Sequence, residues 1–424
     1  MKRLTFLAAG ALVVLVTWGL VYVAGQRASR PPAPPSDVGM IDPWGAMYLD
    51  LDRVEADSDL ERSIMQSFRS EPEGGFDPDG DGVREYSLLA LSGGGSAGAF
   101  GAGLLSGWSA SGTRPDFKIV TGVSTGSLQS TFAFLGSDYD DALTQVFQNY
   151  DSAAIYERRS MLGAVLGDAA WDSAPLKELI ERYIDEEVLA AVARKHAAGY
   201  RLFVGTVNMD TKKFVIWDMG RIASSQRPDK LQRFRDVLLA SCSIPVLFPP
   251  VYIPIEVDGE IYYEMHMDGA VKSQLFLRGF MLDFEDALNA SGIANTQHKL
   301  YLYVIRNGTA GLEPVRDNVP ASTLAIATEM INGVFRLSTS ASLFRVFMLA
   351  RRLGADFNVA SIPDDFDPYL NPVDFDLTRM KRLYDFAHAE AERGYAWAKQ
   401  PGGLDPDEVE VLTAPQADGD PAQH

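Results

Sequence analysis

The sequence predicts an α/β fold built on a mostly parallel central sheet, with a helical C-terminal extension. Three observations lead there. An apolar run at 86–91 precedes a small-residue helical run at 97–110, and the pair repeats as a strand at 117–123 and a helix at 127–135. Such β-α-β-α order buries parallel strands beneath helices. Glycine-rich turns, Gly93-Gly94-Gly95 and Gly122-Val123-Ser124-Thr125-Gly126, stand where each strand hands over to its helix. The chain of 424 residues is 46% hydrophobic and 22% charged, a globular balance sufficient for one large or two ordinary domains.

Ahead of this repeat, Lys2 and Arg3 precede an uncharged, largely apolar stretch at 4–25, followed by Gln26, Arg27 and Arg30. Its length suits a bilayer span of about 20 residues better than the roughly 7–15-residue core of a cleaved signal. Residues 1–25 are therefore expected to form an N-terminal membrane anchor, with the remainder on the extracytoplasmic side. Export after cleavage near Val23-Ala24-Gly25 is the rival. Residues 26–84 read as linker and N-terminal extension, opening with the stiff Arg30-Pro31-Pro32-Ala33-Pro34-Pro35. Asp77-Pro78-Asp79-Gly80-Asp81-Gly82 begins like a calcium loop, but Leu88 holds the twelfth position, where a bidentate Glu belongs. An acidic turn is the reading adopted.

After the repeat, helical patterns run over 141–149 and 174–195. Strands at 202–207 and 214–217 flank a polar turn, a helix follows at 230–240, and further strands are expected at 261–265 and 300–305. Amphipathic helices at 321–353 and 377–399 place a helical part at 311–400. Residues 401–424, rich in Pro, Gly and Asp, read as a loose tail.

The net charge of −19 argues against nucleic acid as a partner and against broad docking on anionic lipid. The single Cys242 excludes an intrachain disulfide and a cysteine-rich metal site. No metal and no cofactor is expected.

The chemistry concentrates in the two glycine turns. A serine at the tip of a sharp strand-to-helix turn is forced into a strained backbone conformation, and Gly122 and Gly126 remove bulk where strand and helix close on each other. Ser124 then sits above a helix N-terminus, which favours the negative charge an attacked ester develops. Gly93, Gly94 and Gly95 can turn backbone N–H groups toward that charge with no side chain in the way. The run Gly93-Gly94-Gly95-Ser96-Ala97-Gly98 also fits a dinucleotide-binding loop. That reading wants a carboxylate at the end of the next strand, where Ser124 stands. Among His196, His266, His298, His388 and His424, none occupies an obvious catalytic loop, with His298 the least implausible.

In these residues the chain resembles the patatin-like phospholipase family. The glycine motif corresponds to Gly93–Gly98, the serine elbow to Gly122–Gly126, and an Asp-Gly-Ala motif to Asp268-Gly269-Ala270. Supporting stretches are Asp172-Ser173-Ala174-Pro175-Leu176, residues 204–211 and residues 240–249. The resemblance covers residues 85–310, and extends to helices out to about 399. It implies a three-layer α/β/α fold and a Ser–Asp dyad without histidine. Ser124 would attack the acyl carbonyl, and Asp268 would take its proton and later activate water. The family usually has Asp at the position of Ser92 and Arg or Lys at that of Ala97. Backbone donors survive this departure and a nearby positive charge does not.

The expectation is a serine acyl hydrolase cleaving fatty-acyl esters of lipids, of phospholipase or lysophospholipase type. Ser124 and Asp268 are the catalytic pair, and Gly93, Gly94 and Gly95 the oxyanion hole. Gly98, Gly122, Gly126, Gly269 and Ala270 are motif support. Its partners would be the lipid acyl-ester substrate and, through the N-terminal segment, a membrane; oligomeric state is left open. The alternatives are a small-ester or thioester hydrolase and a catalytically weak lipid-binding scaffold.

Overall fold

The computed structural model describes residues 30–35, 46–49, 58–72, 74–160, 163, 167–277, 288, 297–311, 318–367 and 371–402. A short strand β1 (Ala46–Leu49) and helix α1 (Ser58–Arg69) lead into the expected unit of β2 (Arg84–Leu91), α2 (Gly98–Ala110), β3 (Phe117–Val123) and α3 (Thr125–Leu135). Next come α4 (Asp140–Gln148), α5 (Ala174–Tyr183), α6 (Glu186–Ala197), β4 (Arg201–Asn208) and β5 (Lys213–Asp218). Helix α7 (Lys230–Ser241) precedes the strand pair β6 (Val251–Val257) and β7 (Glu260–Asp268). The described C-terminal part holds β8 (His298–Thr309), α8 (Thr323–Arg352), β9 (Asp356–Ile362) and α9 (Leu377–Glu392).

One nine-stranded sheet runs in the order β1-β5-β4-β3-β2-β8-β9, with β7 joined to β4 and β6 to β7. From β4 to β9 every pairing is parallel. The pairings of β1, β5, β6 and β7 are antiparallel. Alternation along the central strands splits the core. Leu89, Leu91 and Val120 pack into one hydrophobic cluster, and Leu88, Ala90 and Ile119 into another on the opposite face. Helices α2 and α3 cover the first cluster and α8 the second, which makes the three layers.

Two details were not legible beforehand. The helical pattern at 174–195 breaks into α5 and α6 because Asp185 caps the second helix, accepting from the N–H groups of Glu187 and Val188. Strand β6 carries Pro254, a residue that argues against a central strand; it is tolerated because β6 pairs with β7 alone among the described strands. Helix α9 lies against α2 at backbone distance: a side chain on Gly103 would strike the Tyr384 carbonyl, and one on Gly107 the His388 carbonyl.

The membrane reading is corrected. Among the described residues no helix is long and apolar enough to cross a membrane. The 30-residue α8 has the length, but Glu329, Arg336 and Arg345 interrupt it. Residues 1–25 lie outside the described residues, as do 403–424. The transmembrane helix, the membrane as partner and the extracytoplasmic placement are accordingly not carried forward. In the stretch expected as linker and extension, by contrast, Leu60, Ile64 and Phe68 of α1 are buried in the α8-side core.

A buried ionic group fastens this extension to the sheet. Lys118, at the start of β3, is fully buried and its Nζ lies 2.5 Å from Glu71 Oε1. The ammonium also stands 4.5 Å from the Phe76 ring centroid and 4.8 Å from that of Phe68. Arg84 pairs with the other Glu71 oxygen. Burial brings the Lys118 pKa down to about 7, against the opposing pull of Glu71. Glu71→Ala removes the carboxylate that offsets the burial of Lys118 and pairs with Arg84, and is expected to cost about 3–5 kcal/mol of stability in urea unfolding. A loss below about 1 kcal/mol would show that the lysine does not depend on its partner.

Candidate active site

The sheet register places Ser124 and Asp268 together. Strand β3 pairs with β4 as far as Val123 opposite Gly205. Strand β7 pairs with β4 from Thr206 opposite Asp268 to Asn208 opposite His266. One edge of β4 is occupied over Phe203–Asn208 by β5, so β3 and β7 share the other edge. They run toward each other along it and their ends meet, with Ser124 closing one strand and Asp268 the other.

Ser124 is an outlier of the kind a strand-to-helix elbow imposes, with φ 55° and ψ −132°. For a non-glycine residue such a conformation costs about 1–3 kcal/mol and persists only where the surroundings hold it. Both flanking glycines are sterically required: a Cβ on Gly122 would strike the Gly126 carbonyl, and one on Gly126 would lie 2.6 Å from the Ser92 carbonyl oxygen. The Ser124 N–H donates to Ser241 Oγ at 2.9 Å, and the Ser124 carbonyl accepts from Ser127 Oγ at 2.6 Å.

Asp268 is wholly buried. Its N–H donates to the Ser243 carbonyl at 2.9 Å, and its Oδ1 accepts the Ala270 N–H at 2.8 Å. The tight turn continues through Gly269, where a Cβ would lie 2.7 Å from the Gly205 carbonyl oxygen. Oδ2 completes no hydrogen bond of good geometry among the described residues. Burial raises the Asp268 pKa to about 7, while the Ser124 hydroxyl and the Ala270 N–H act in the opposite direction. The Ser124 hydroxyl is thus close enough to favour the charged carboxylate, while Oδ2 has no hydrogen-bond partner among the described residues. Cys242 lies close enough for the Asp268 charge to add to burial in pushing its thiol pKa up, so the sulfur stays protonated.

The glycine loop faces Ser124 from the end of β2. A Cβ on Gly93 would lie 2.8 Å from Ser124 Cβ, one on Gly94 would strike Asn307, and one on Gly95, whose φ is 55°, would strike Pro372. Gly93 differs from the expected role in one respect: its N–H is committed to Gln274 Oε1 at 2.9 Å. The Gly94 and Gly95 N–H groups have no acceptor among the described residues. Thr125 Oγ1 ties the loop to the elbow by donating to the Gly95 carbonyl at 3.0 Å. Gly98 opens α2 where the Thr125 methyl and the Phe147 ring leave no room for a Cβ.

Several supporting residues had no assigned role. Ser92 donates to the Gly93 carbonyl at 2.8 Å and accepts the Asn307 N–H at 2.9 Å. Asn307 Nδ2 then reaches the Ser92 carbonyl and Gln129 Oε1, both at 2.8 Å. Ala97 is buried. Asn307, Gln129 and Gln274 sit in no recognisable motif, so only the fold reveals them. Ser241 and Ser243 lie inside the stretch 240–249 already singled out. His266 is buried against Thr206 and Glu264, at 3.0 and 3.2 Å, and the exposed His298 opens β8 at the end of the sheet away from the elbow. Among the described residues, neither makes a hydrogen bond to Ser124 or Asp268. Asp77, Asp79 and Asp81 bring carboxylate oxygens within 4.8 Å of one another and bond mainly to N–H groups of their own turn.

A pocket opens beside Ser124. Leu128, Phe147, Ile155, Leu179, Phe248 and Met380 give it apolar walls. Ser124, Thr125 and Gly95 stand at the pocket wall, so the reactive hydroxyl and the glycine loop face an apolar chamber.

The family described as patatin-like phospholipase matches residues 89–281. No curated protein matches the chain. Among solved structures, VipD from Legionella pneumophila aligns at 10% identity over 73% of this chain and 67% of that one, with a TM-score of 0.30. The segment from the middle of β2 past the Asp268 turn, residues 89–281, is thus a patatin-like phospholipase domain, of a family of lipid acyl hydrolases.

Proposed function

We propose that this chain is a serine acyl hydrolase that cleaves fatty-acyl esters of lipids, of phospholipase or lysophospholipase type, through a Ser124–Asp268 dyad. The observation that carries the reading is a hydroxyl on a strained elbow beside a buried carboxylate, with Oδ2 unsatisfied, at the wall of an apolar pocket. The apolar lining of the pocket suits the hydrocarbon of an acyl chain, which favours lipid esters.

In this reading Asp268 accepts the Ser124 proton as Oγ attacks the acyl carbonyl. The Gly94 and Gly95 N–H groups, free of other acceptors, meet the developing oxyanion. Gly93 contributes by lacking a side chain and by its link to Gln274. Collapse of the tetrahedral intermediate breaks the ester bond, and Asp268 returns the proton to the leaving alcohol. The acyl-enzyme on Ser124 is then attacked by water, whose proton Asp268 takes and passes back to Ser124 as the fatty acid leaves. Burial helps the chemistry, because a carboxylate with a pKa near 7 is a far stronger base than one near 3.8.

Ser124→Ala is expected to abolish both ester hydrolysis and fluorophosphonate labelling, a loss of at least about 10³-fold, while leaving the circular dichroism spectrum unchanged. Turnover in the folded variant would remove Ser124 from the mechanism. A series of soluble esters of rising acyl length, scored by kcat/KM, tests the lipid assignment. A preference for the shortest acyl group would favour the small-ester alternative.

The pH dependence follows from Asp268. It must be ionised to act as a base, so kcat/KM should rise tenfold per unit below about pH 7 and level off above it. The stability sign is opposite. A carboxyl whose folded pKa is raised stabilises the fold most below its unfolded value, and that contribution is lost as pH rises toward the folded value. Asp268→Asn is therefore expected to be nearly inactive yet to melt at a higher temperature than wild type at pH 8. A lower melting temperature there would mean that the carboxylate is better satisfied than its burial implies.

A further inference from the structure

We propose that Ser241 is a positioning residue for Ser124, its hydroxyl spliced into the β3–β4 ladder at the point where the two candidate catalytic strands meet. This rests on the serine acyl hydrolase reading above and adds a residue to it. Ser241 ends α7 and is wholly buried. Its Oγ accepts the Ser124 N–H at 2.9 Å and donates to the Gly205 carbonyl at 2.8 Å. A hydroxyl has one proton. With that proton committed to Gly205, a lone pair is left facing the Ser124 N–H.

The register explains why a side chain is needed there. Val123 lies opposite Gly205. In an unbroken parallel ladder continuing that register, the Ser124 N–H would donate directly to the Gly205 carbonyl. The elbow, with φ 55° and ψ −132°, swings Ser124 away from that line. Its N–H and the Gly205 carbonyl lose each other and would both be left buried without partners. Ser241 Oγ sits between them and satisfies both. A straight strand would release this bridge, so Ser241 favours the bent state and holds Ser124 in it.

The same turn reaches the other strand end. Two residues on, the Ser243 carbonyl accepts the Asp268 N–H. Cys242, between them, lines the pocket. The stretch 241–243 therefore touches both members of the candidate dyad and sets the gap between Ser124 and Asp268. Because the hydroxyl holds the elbow rather than the acyl chain, its loss should act on the chemical step.

The test compares Ser241→Ala, Ser241→Thr and Ser67→Ala on soluble esters and with a fluorophosphonate probe. Ser67 is a matched control: a fully buried hydroxyl donating to a glycine carbonyl, that of Gly199, outside the candidate site. Ser241→Ala is expected to lower kcat and the labelling rate about 100-fold, with KM nearly unchanged and the pH limb of Asp268 retained. Ser241→Thr should recover much of this, and Ser67→Ala should keep wild-type kcat. Wild-type kcat in folded Ser241→Ala overturns the proposal, as does a loss confined to KM or one matched by Ser67→Ala at equal loss of melting temperature. Should Ser241→Ala fail to fold, Ser241→Cys, with its weaker donor, carries the same comparison, and unchanged kcat there is equally fatal. A wild-type protein that neither labels at Ser124 nor hydrolyses any ester would sink the hydrolase reading itself; a labelled wild type with an equally labelled Ser241→Ala sinks only the role of Ser241.

Discussion

Two strands entering from opposite ends onto one edge of β4 are the constraint on which the candidate site depends. Val123 stops opposite Gly205 and Asp268 stops opposite Thr206, so the chain must leave the sheet twice at one point. Every special feature of the site answers a problem created there. The strained φ of Ser124 turns the chain out of the sheet, and the turn at Gly269 does the same from the other side. Glycines at 122, 126 and 269 let backbone approach backbone where a Cβ would collide, and Gly205 leaves room for the Phe214 ring. Ser241 and Ser243 supply the hydrogen bonds that two interrupted ladders can no longer supply. A buried polar backbone left unpaired costs about 1–3 kcal/mol per group, so these bridges are not incidental.

The electrostatic character of β3 changes along its length. At its start Lys118 is buried with Glu71 beside it and aromatic rings around it. At its far end Asp268 is buried with only a hydroxyl and a backbone N–H acting on it. The first group is compensated and serves to fasten α1 and the segment after it to the sheet. The second is left uncompensated, which keeps its affinity for a proton high. Ser92, Asn307 and Gln129 hold the glycine loop beside it through neutral hydrogen bonds.

The pocket is assembled from elements distant in sequence. Leu128 comes from α3, Phe147 from α4, Leu179 from α5 and Met380 from α9. Helix α9 contributes only because Gly103 and Gly107 let it settle on α2 at backbone distance. The C-terminal helical part is thereby a wall of the candidate site, although it lies beyond the residues that match the patatin-like family.

By itself the sequence determined the α/β class, the central β-α-β-α unit, the elbow at Ser124 and the glycine loop ahead of it. These are local: strand and helix periods differ, and a turn that must be tight admits little besides glycine. It also brought Asp268 into view, through a motif whose Asp-Gly pair alone would read as an ordinary turn. The membrane anchor read from the apolar stretch at 4–25 is not carried forward, since no helix among the described residues is long and apolar enough to cross a membrane. What only the tertiary structure decided is which groups meet. That Asp268 faces Ser124, that the Gly93 N–H is already spent on Gln274, and that Ser241 stands between Ser124 and Gly205 all follow from strand register and helix placement. Those contacts join residues far apart in the chain, and no periodicity along one segment records the register of another.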